Sequence, residues 1–380
     1  MGDEITIPSP EPIPLPAPAW VLHFLLVFTF LLHIIAMNFT LGGGFLTAIS
    51  YSVGRLRANI NHQNLAKALG TVLPYTIAMT ITLGVAPLLF IQVLFGQFIY
   101  TSSVLIAIPW ILVIPLLILG YYGFYYFYFK GNNGQGIHPL VPWLSAIFFL
   151  MIAFIYTTNM VLMLTPEVWR KMYFANPYGL HLYLGEPTII PRFLHFLVAS
   201  LAISGILIVY YGVSLLKKDE GAGKWALSYG LKWFTFGTLI QFLVGFWFVF
   251  SLPASIKRAF LGGDPASTAH LITGVVLALL AIGVFHFSAR RRNPLPGIIV
   301  ASVLVFLLLA TMAIMRDMVR SAYLSAHWQT AGLPQGLTSL PVKPQWDVFA
   351  LFVVLLIVAI VTVLWMVVKV VKSARTPSSA

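Results

Sequence analysis

Histidine is the residue type that carries chemistry into the apolar stretches of this sequence. His23, His33, His195, His270 and His286 fall inside such stretches, while Asp and Glu stay essentially between them. Neutral imidazole ligates transition metals and haem iron, and burying it in lipid without a partner is costly. The chain has no cysteine. Disulfides, thiolate ligands, cysteine-ligated iron–sulfur clusters and covalently attached haem are therefore excluded, and a redox centre has to hang on His or Met.

His195 and His270 lie about one turn inside their apolar stretches from the same face. This matched depth leaves two readings for each: an interhelical hydrogen bond, or a haem clamped between facing helices. The absence of an intramembrane acid to pair with them favours ligation. His33 lies deeper, just before a run of small residues, and could ligate iron or bond a backbone carbonyl. Met312 and Met315 are thioether candidates or packing residues. Arg316 and Arg320 beside them suit haem propionates or simply end a helix.

The elements that must position these groups are membrane helices. The chain is 59% hydrophobic and 8% charged, against roughly 25% charged residues in an ordinary globular protein. A membrane helix needs about 20 mostly apolar residues. Nine segments qualify: 20–51, 69–98, 104–128, 140–164, 191–216, 225–252, 268–288, 296–315 and 348–371. The expected fold is therefore all-α, a polytopic helical bundle with its membrane domain over 20–371.

The net charge of +12 reflects basic loops and no nucleic-acid surface. Arg55, Arg57, Lys67, Lys130, Lys217, Lys218, Lys224, Arg290, Arg291, Arg292, Lys369, Lys372 and Arg375 all fall on one side of this arrangement. By the positive-inside rule that side is cytoplasmic, which gives an N-out, C-in protein of the cytoplasmic membrane. Residues 1–19 are acidic and Pro-rich and lack the basic start of a cleavable signal peptide. They read as a short extended extracytoplasmic tail, and 372–380 as a cytoplasmic one. Lys232, inside the sixth segment, snorkels to the interface. Gly42, Gly43 and Gly44 allow a helix or a flat ligand close to the first helix.

Four segments carry a resemblance to a known family. LLHIIAMNFTLGGGFLTAI (31–49) resembles the first helix of cytochrome bd quinol oxidase subunit I, and LGVAPLLFIQVLFG (83–96) its second. RFLHFLVASLAISG (192–205) is similar to the fifth and HLITGVVLALLAI (270–282) to the seventh. The resemblance implies that His33 ligates a haem of the oxygen-reducing site and His195 the low-spin haem b. This sequence also departs from the family. Ile272 stands at the family's Met ligand and His270 at its Arg; Gln92 and Pro109 replace proton-handling acids; Ala310 replaces a Glu ligand. The family's long quinol-binding loop shrinks to 253–267.

These departures shift the expected function from oxygen reduction to electron transfer. The expected protein is a membrane-bound b-type cytochrome, holding one or more haem b groups. It would exchange electrons between membrane quinol or quinone and a partner, either another membrane subunit or a periplasmic cytochrome. His33, His195 and His270 are the iron-ligand candidates, with Met312, Met315 and Arg316 around the cofactor. Lys257, Arg258 and Asp264 are the nearest polar candidates for a quinone, or ordinary loop charges. The alternatives are an oxygen-reducing quinol oxidase subunit and a haem-free membrane anchor or transporter subunit.

Overall fold

The computed structural model describes residues 7–9, 11, 13–132 and 136–373. Among these the chain is all-helical: α1 Ala19–Leu56, α2 Ile60–Leu105, α3 Ala107–Asn132, α4 Leu140–Leu162, α5 Trp169–Ala175, α6 Ile189–Leu215, α7 Glu220–Ser251, α8 Ala254–Arg258, α9 Pro265–Ala289, α10 Leu295–Ser325 and α11 Trp346–Ser373. Eight of these helices are long and apolar enough to cross a membrane. The protein is a polytopic membrane helical bundle. The ninth expected segment falls on α11, where Trp346–Thr362 is a shorter apolar helix. Residues 374–380 of the expected cytoplasmic tail lie outside the described residues.

Several boundaries differ from those expected, for one physical reason. A hydropathy pattern ends where charge begins, but a helix ends where its backbone loses partners. At 46 residues, α2 is about 69 Å long, more than twice the roughly 30 Å hydrocarbon core. It contains Pro74 and Pro87 and bends at Phe95, whose backbone leaves the helical region (φ −131°, ψ 33°). The Phe95 ring is anchored by the edge of His23 at 6.1 Å, by stacking on Trp328 at 6.3 Å and by the Arg320 guanidinium at 5.1 Å. Similarly, α10 runs beyond Met315 to Ser325 and so takes Arg316, Asp317 and Arg320 into the helix. Asp317 pairs with Arg320 one turn on and with His23 of α1 at 2.6 Å. Asp317 thus lies within α10 but two residues beyond the expected span 296–315.

The expected extended tail is tied down at its end. Leu15 forms a parallel bridge with Val342: its N–H donates to the Pro341 carbonyl (2.7 Å) and its carbonyl accepts from Lys343 (3.0 Å). Leu15 and Ala17 are buried. If each of the eight long helices crosses once, this strap lies opposite the basic loops.

The α6–α7 pair positions the site. Gly205 and Gly212 on α6 face Gly230 and Gly223 on α7, so closely that a Cβ on Gly230 would lie 2.6 Å from the Gly205 carbonyl oxygen. One repeat further on, Gly237 packs against Ala202, and beyond it Gly245 lies beside the His195 ring. Small residues spaced along each helix thus bring the backbones together and leave the imidazole a fixed slot. On the other side of α6, Gly42 of α1 lies on the Ser200 backbone, and Ser204 Oγ donates to the Asn38 carbonyl at 3.0 Å. The small-residue run in α1 serves helix approach.

Candidate functional site

Arg192 and His195 are three residues apart in the first turns of α6, so they share one helical face. That face opens on a cavity of about 220 Å³ bounded by α1, α6, α7, α9 and α10. Its wall is overwhelmingly apolar. The polar exceptions are Asn38, Arg192, His195, Thr238, Gln241 and Arg316, and the sulfurs of Met312 and Met315 join them. Gln241 Nε2 donates to the His195 carbonyl at 2.6 Å. Arg192 lies over the Phe248 ring at 4.9 Å and Arg316 over the Phe30 ring at 4.2 Å. Stacking on aromatic faces holds each guanidinium in one orientation.

The hydrogen bonds of this wall are incomplete. Among the described residues His195 Nδ1, Gln241 Oε1, both side-chain atoms of Asn38, and Arg192 Nε and Nη2 are buried without partners. Each buried polar group left unmade costs about 1–3 kcal/mol, more when charged. Native interiors contain few such groups. These four residues give one apolar space the donors and acceptors that suit an amphiphilic ligand with polar, partly anionic groups.

The residues singled out by sequence divide. The structure brings His195, Met312, Met315 and Arg316 together on the cavity. The Met312 methyl lies against Gly274 of α9, while Met315 is buried in an apolar cluster with Leu252, Ile256 and Phe260. His270 occupies the stripe of α9 that continues to Gly274 and Ala278, but its ring turns back on its own helix and Nδ1 pairs with the Ala266 carbonyl at 2.8 Å. It is not on the cavity wall. His33 faces α2 instead: Nδ1 pairs with the Thr80 carbonyl at 3.0 Å and the ring lies against Gly84. That bond leaves Nε2 with the free lone pair, the arrangement that second-shell carbonyls give to ligating histidines.

The loop candidates also separate. Asp264 caps α9, accepting from Ser267 N at 2.8 Å and Ser267 Oγ at 2.7 Å, and these bonds hold its carboxyl below the usual carboxylate range. Lys257 and Arg258 end α8, Arg258 being exposed. None of the three lines the cavity. A depressed carboxyl stabilises the fold at neutral pH, and that contribution fades as pH falls through its folded value. Asp264→Ala should therefore lower the melting temperature in detergent at pH 7, with the difference from the parent shrinking toward pH 3. A difference that does not depend on pH would refute the capping role.

Sequence reasoning missed Arg192, Asn38 and Gln241. Arg192 carried a signal: a cation one turn before a histidine, inside an apolar stretch, where charge is costly unless used. Asn38 and Gln241 gave weaker signals of the same kind.

No protein-family profile and no curated protein matches the sequence. The shape of the bundle, however, does find a counterpart among solved structures. The fold is bd-oxidase-like. It superposes on a chain of the bd oxidase from Geobacillus thermodenitrificans with a TM-score of 0.65, covering 95% of this chain and 100% of that one at 15% identity. At that identity the likeness is one of fold, and it agrees with the family resemblance carried by the four segments above. Haem is the group expected from the four segments, and the cavity supplies donor types that suit it. His195 is an imidazole whose Nδ1 is buried without a partner among the described residues, Met312 is a thioether, and Arg192 and Arg316 are cations for carboxylates within an apolar wall.

Proposed function

We propose that this chain is a b-type cytochrome of the cytoplasmic membrane, passing electrons between membrane quinol or quinone and a partner redox protein, either a companion membrane subunit or a periplasmic cytochrome. The observation that carries the reading is the convergence of unpartnered His195 and Arg192 with Met312 and Arg316 on one apolar cavity. A haem b held there supplies one-electron transfer. His195 offers the ring nitrogen that would hold it; from α7, Gln241 fixes the His195 backbone carbonyl and Gly245 lies beside the ring. The apolar wall excludes water and lowers the local dielectric, which would tune the redox potential of a group held there. Quinol oxidation on the outer side would release its protons there; Lys257 and Arg258 are the cations of that turn, and Asp264 is committed to capping.

A reduced-minus-oxidised visible spectrum with pyridine haemochrome quantitation of the purified protein tests the reading. Absence of haem would leave the membrane-anchor alternative. The oxygen-reducing alternative has a separate test. Each oxygen consumes four protons, and the positions of the family's membrane acids are Gln92, Pro109 and Ala310, none of which titrates. Quinol should therefore reduce the haem without appreciable oxygen consumption by the chain or its native complex. Fast, cyanide-sensitive uptake on an oxygen electrode would overturn this and promote the oxidase.

A further inference from the structure

The outer end of the cavity holds more positive charge than the protein neutralises. Arg320 has a carboxylate of its own, since Asp317 pairs with its Nη2 and His23 joins that group, although its Nε and Nη1 stay buried without partners among the described residues. Among the described residues Arg316 has no ion pair, and it shares the cavity wall with a second guanidinium, Arg192. The carboxylate acting on Arg192 is Glu186, which already accepts from Tyr323 OH at 3.1 Å. Among the described residues Arg192 Nε and Nη2 remain unpartnered and buried. Two like charges on the wall of one apolar cavity are destabilising unless an anion joins them. Guanidinium forks match carboxylates in geometry and charge.

We infer that Arg192 and Arg316 form a two-pronged anion clamp, shelved on Phe248 and Phe30, that grips the carboxylate edge of the cavity's ligand and turns it toward the outer end of α6 and α10. The inference rests on the haem reading above, in which the two propionates are those carboxylates. It adds Arg192 to that role and leaves Arg320, which does not line the cavity, with Asp317. Because the clamp places positive charge beside the redox centre, it also stabilises the oxidised state less than the reduced one and raises the potential.

The test uses the full chain purified in detergent, with Arg192→Gln, Arg316→Gln and the corresponding Lys variants. Haem content is measured by pyridine haemochrome and the midpoint by redox titration. Each Gln variant should lower the equilibrium constant for reduction at least tenfold, which is about 59 mV for one electron, or lose haem; the Lys variants should restore most of either loss. Gln variants with full haem and an unshifted midpoint would overturn the clamp. Loss of haem in both the Gln and the Lys variants would also overturn it, because packing and not charge would then be at work. If the parent chain binds no haem, it is the function proposed above that falls, a result distinguishable from all of these.

Discussion

Replacing His195 by Ala should leave the purified protein short of at least one haem per chain and abolish the corresponding band in its reduced-minus-oxidised spectrum. The size of the effect follows from how little else the cavity offers iron. His195 is the one imidazole on its wall, and thioether sulfur alone is a weak ligand. The substitution also removes a side chain whose Nδ1 makes no internal hydrogen bond among the described residues, so the fold loses no polar contact with it. An apolar void is left where packing is already loose, and the helix gains a better helix former. The spectrum should therefore change far more than the melting temperature. His270→Ala is the matched comparison: its ring bonds its own helix at Ala266, and haem content should stay at the parent level. Unchanged haem in the His195 variant, or loss only in the His270 variant, would show that the cavity has been assigned to the wrong imidazole.

The second large effect concerns architecture. Gly230→Leu should prevent normal assembly of the bundle, seen as loss of the monodisperse peak on size exclusion and a sharply lowered melting temperature. A Cβ at this position meets backbone, the Gly205 carbonyl oxygen at 2.6 Å and the Val209 nitrogen at 2.7 Å, so no rotamer change can relieve it. Overpacking a well-filled core costs about 1–3 kcal/mol and more when backbone must move. Here α6 and α7 would have to separate along the seam that sets His195 against Gly245. Leu at Gly283, where a Cβ meets nothing within 4 Å, is the control and should be tolerated. Equal behaviour of the two variants would mean that the seam is not what joins these helices.

The bundle was legible in the sequence because lipid imposes a length and a polarity on any segment that crosses it. Eight of the expected segments coincide with long helices. The extensions of α2 and α10, by contrast, were hidden. Hydropathy cannot see that Asp317 will meet His23 across helices, nor that two prolines and the Phe95 bend let one helix continue past the apolar zone. The short α5 and α8 lie in loops whose mixed composition carries no period. At the site, depth could be counted from the sequence and His195 was found that way. The direction of a ring could not be counted, and so His270, at matching depth, turns back on its own helix. The cavity wall that Arg192 and Asn38 join is drawn from five helices, and such convergence has no local signature.

The seam between α6 and α7 behaves like a toothed rack. Its small residues recur every seven positions along α7, at Gly223, Gly230 and Gly237, a spacing of about 10.5 Å along the axis. A slide smaller than one whole tooth drives side chain into backbone, so the two helices cannot creep past one another. A thicker or thinner bilayer must then be met by tilting the pair as a single rod, at a modest cost per ångström of mismatch. The gap between His195 and Gly245 is thereby insulated from the lipid composition around it, and any electron path that starts at His195 keeps its length whichever membrane surrounds it.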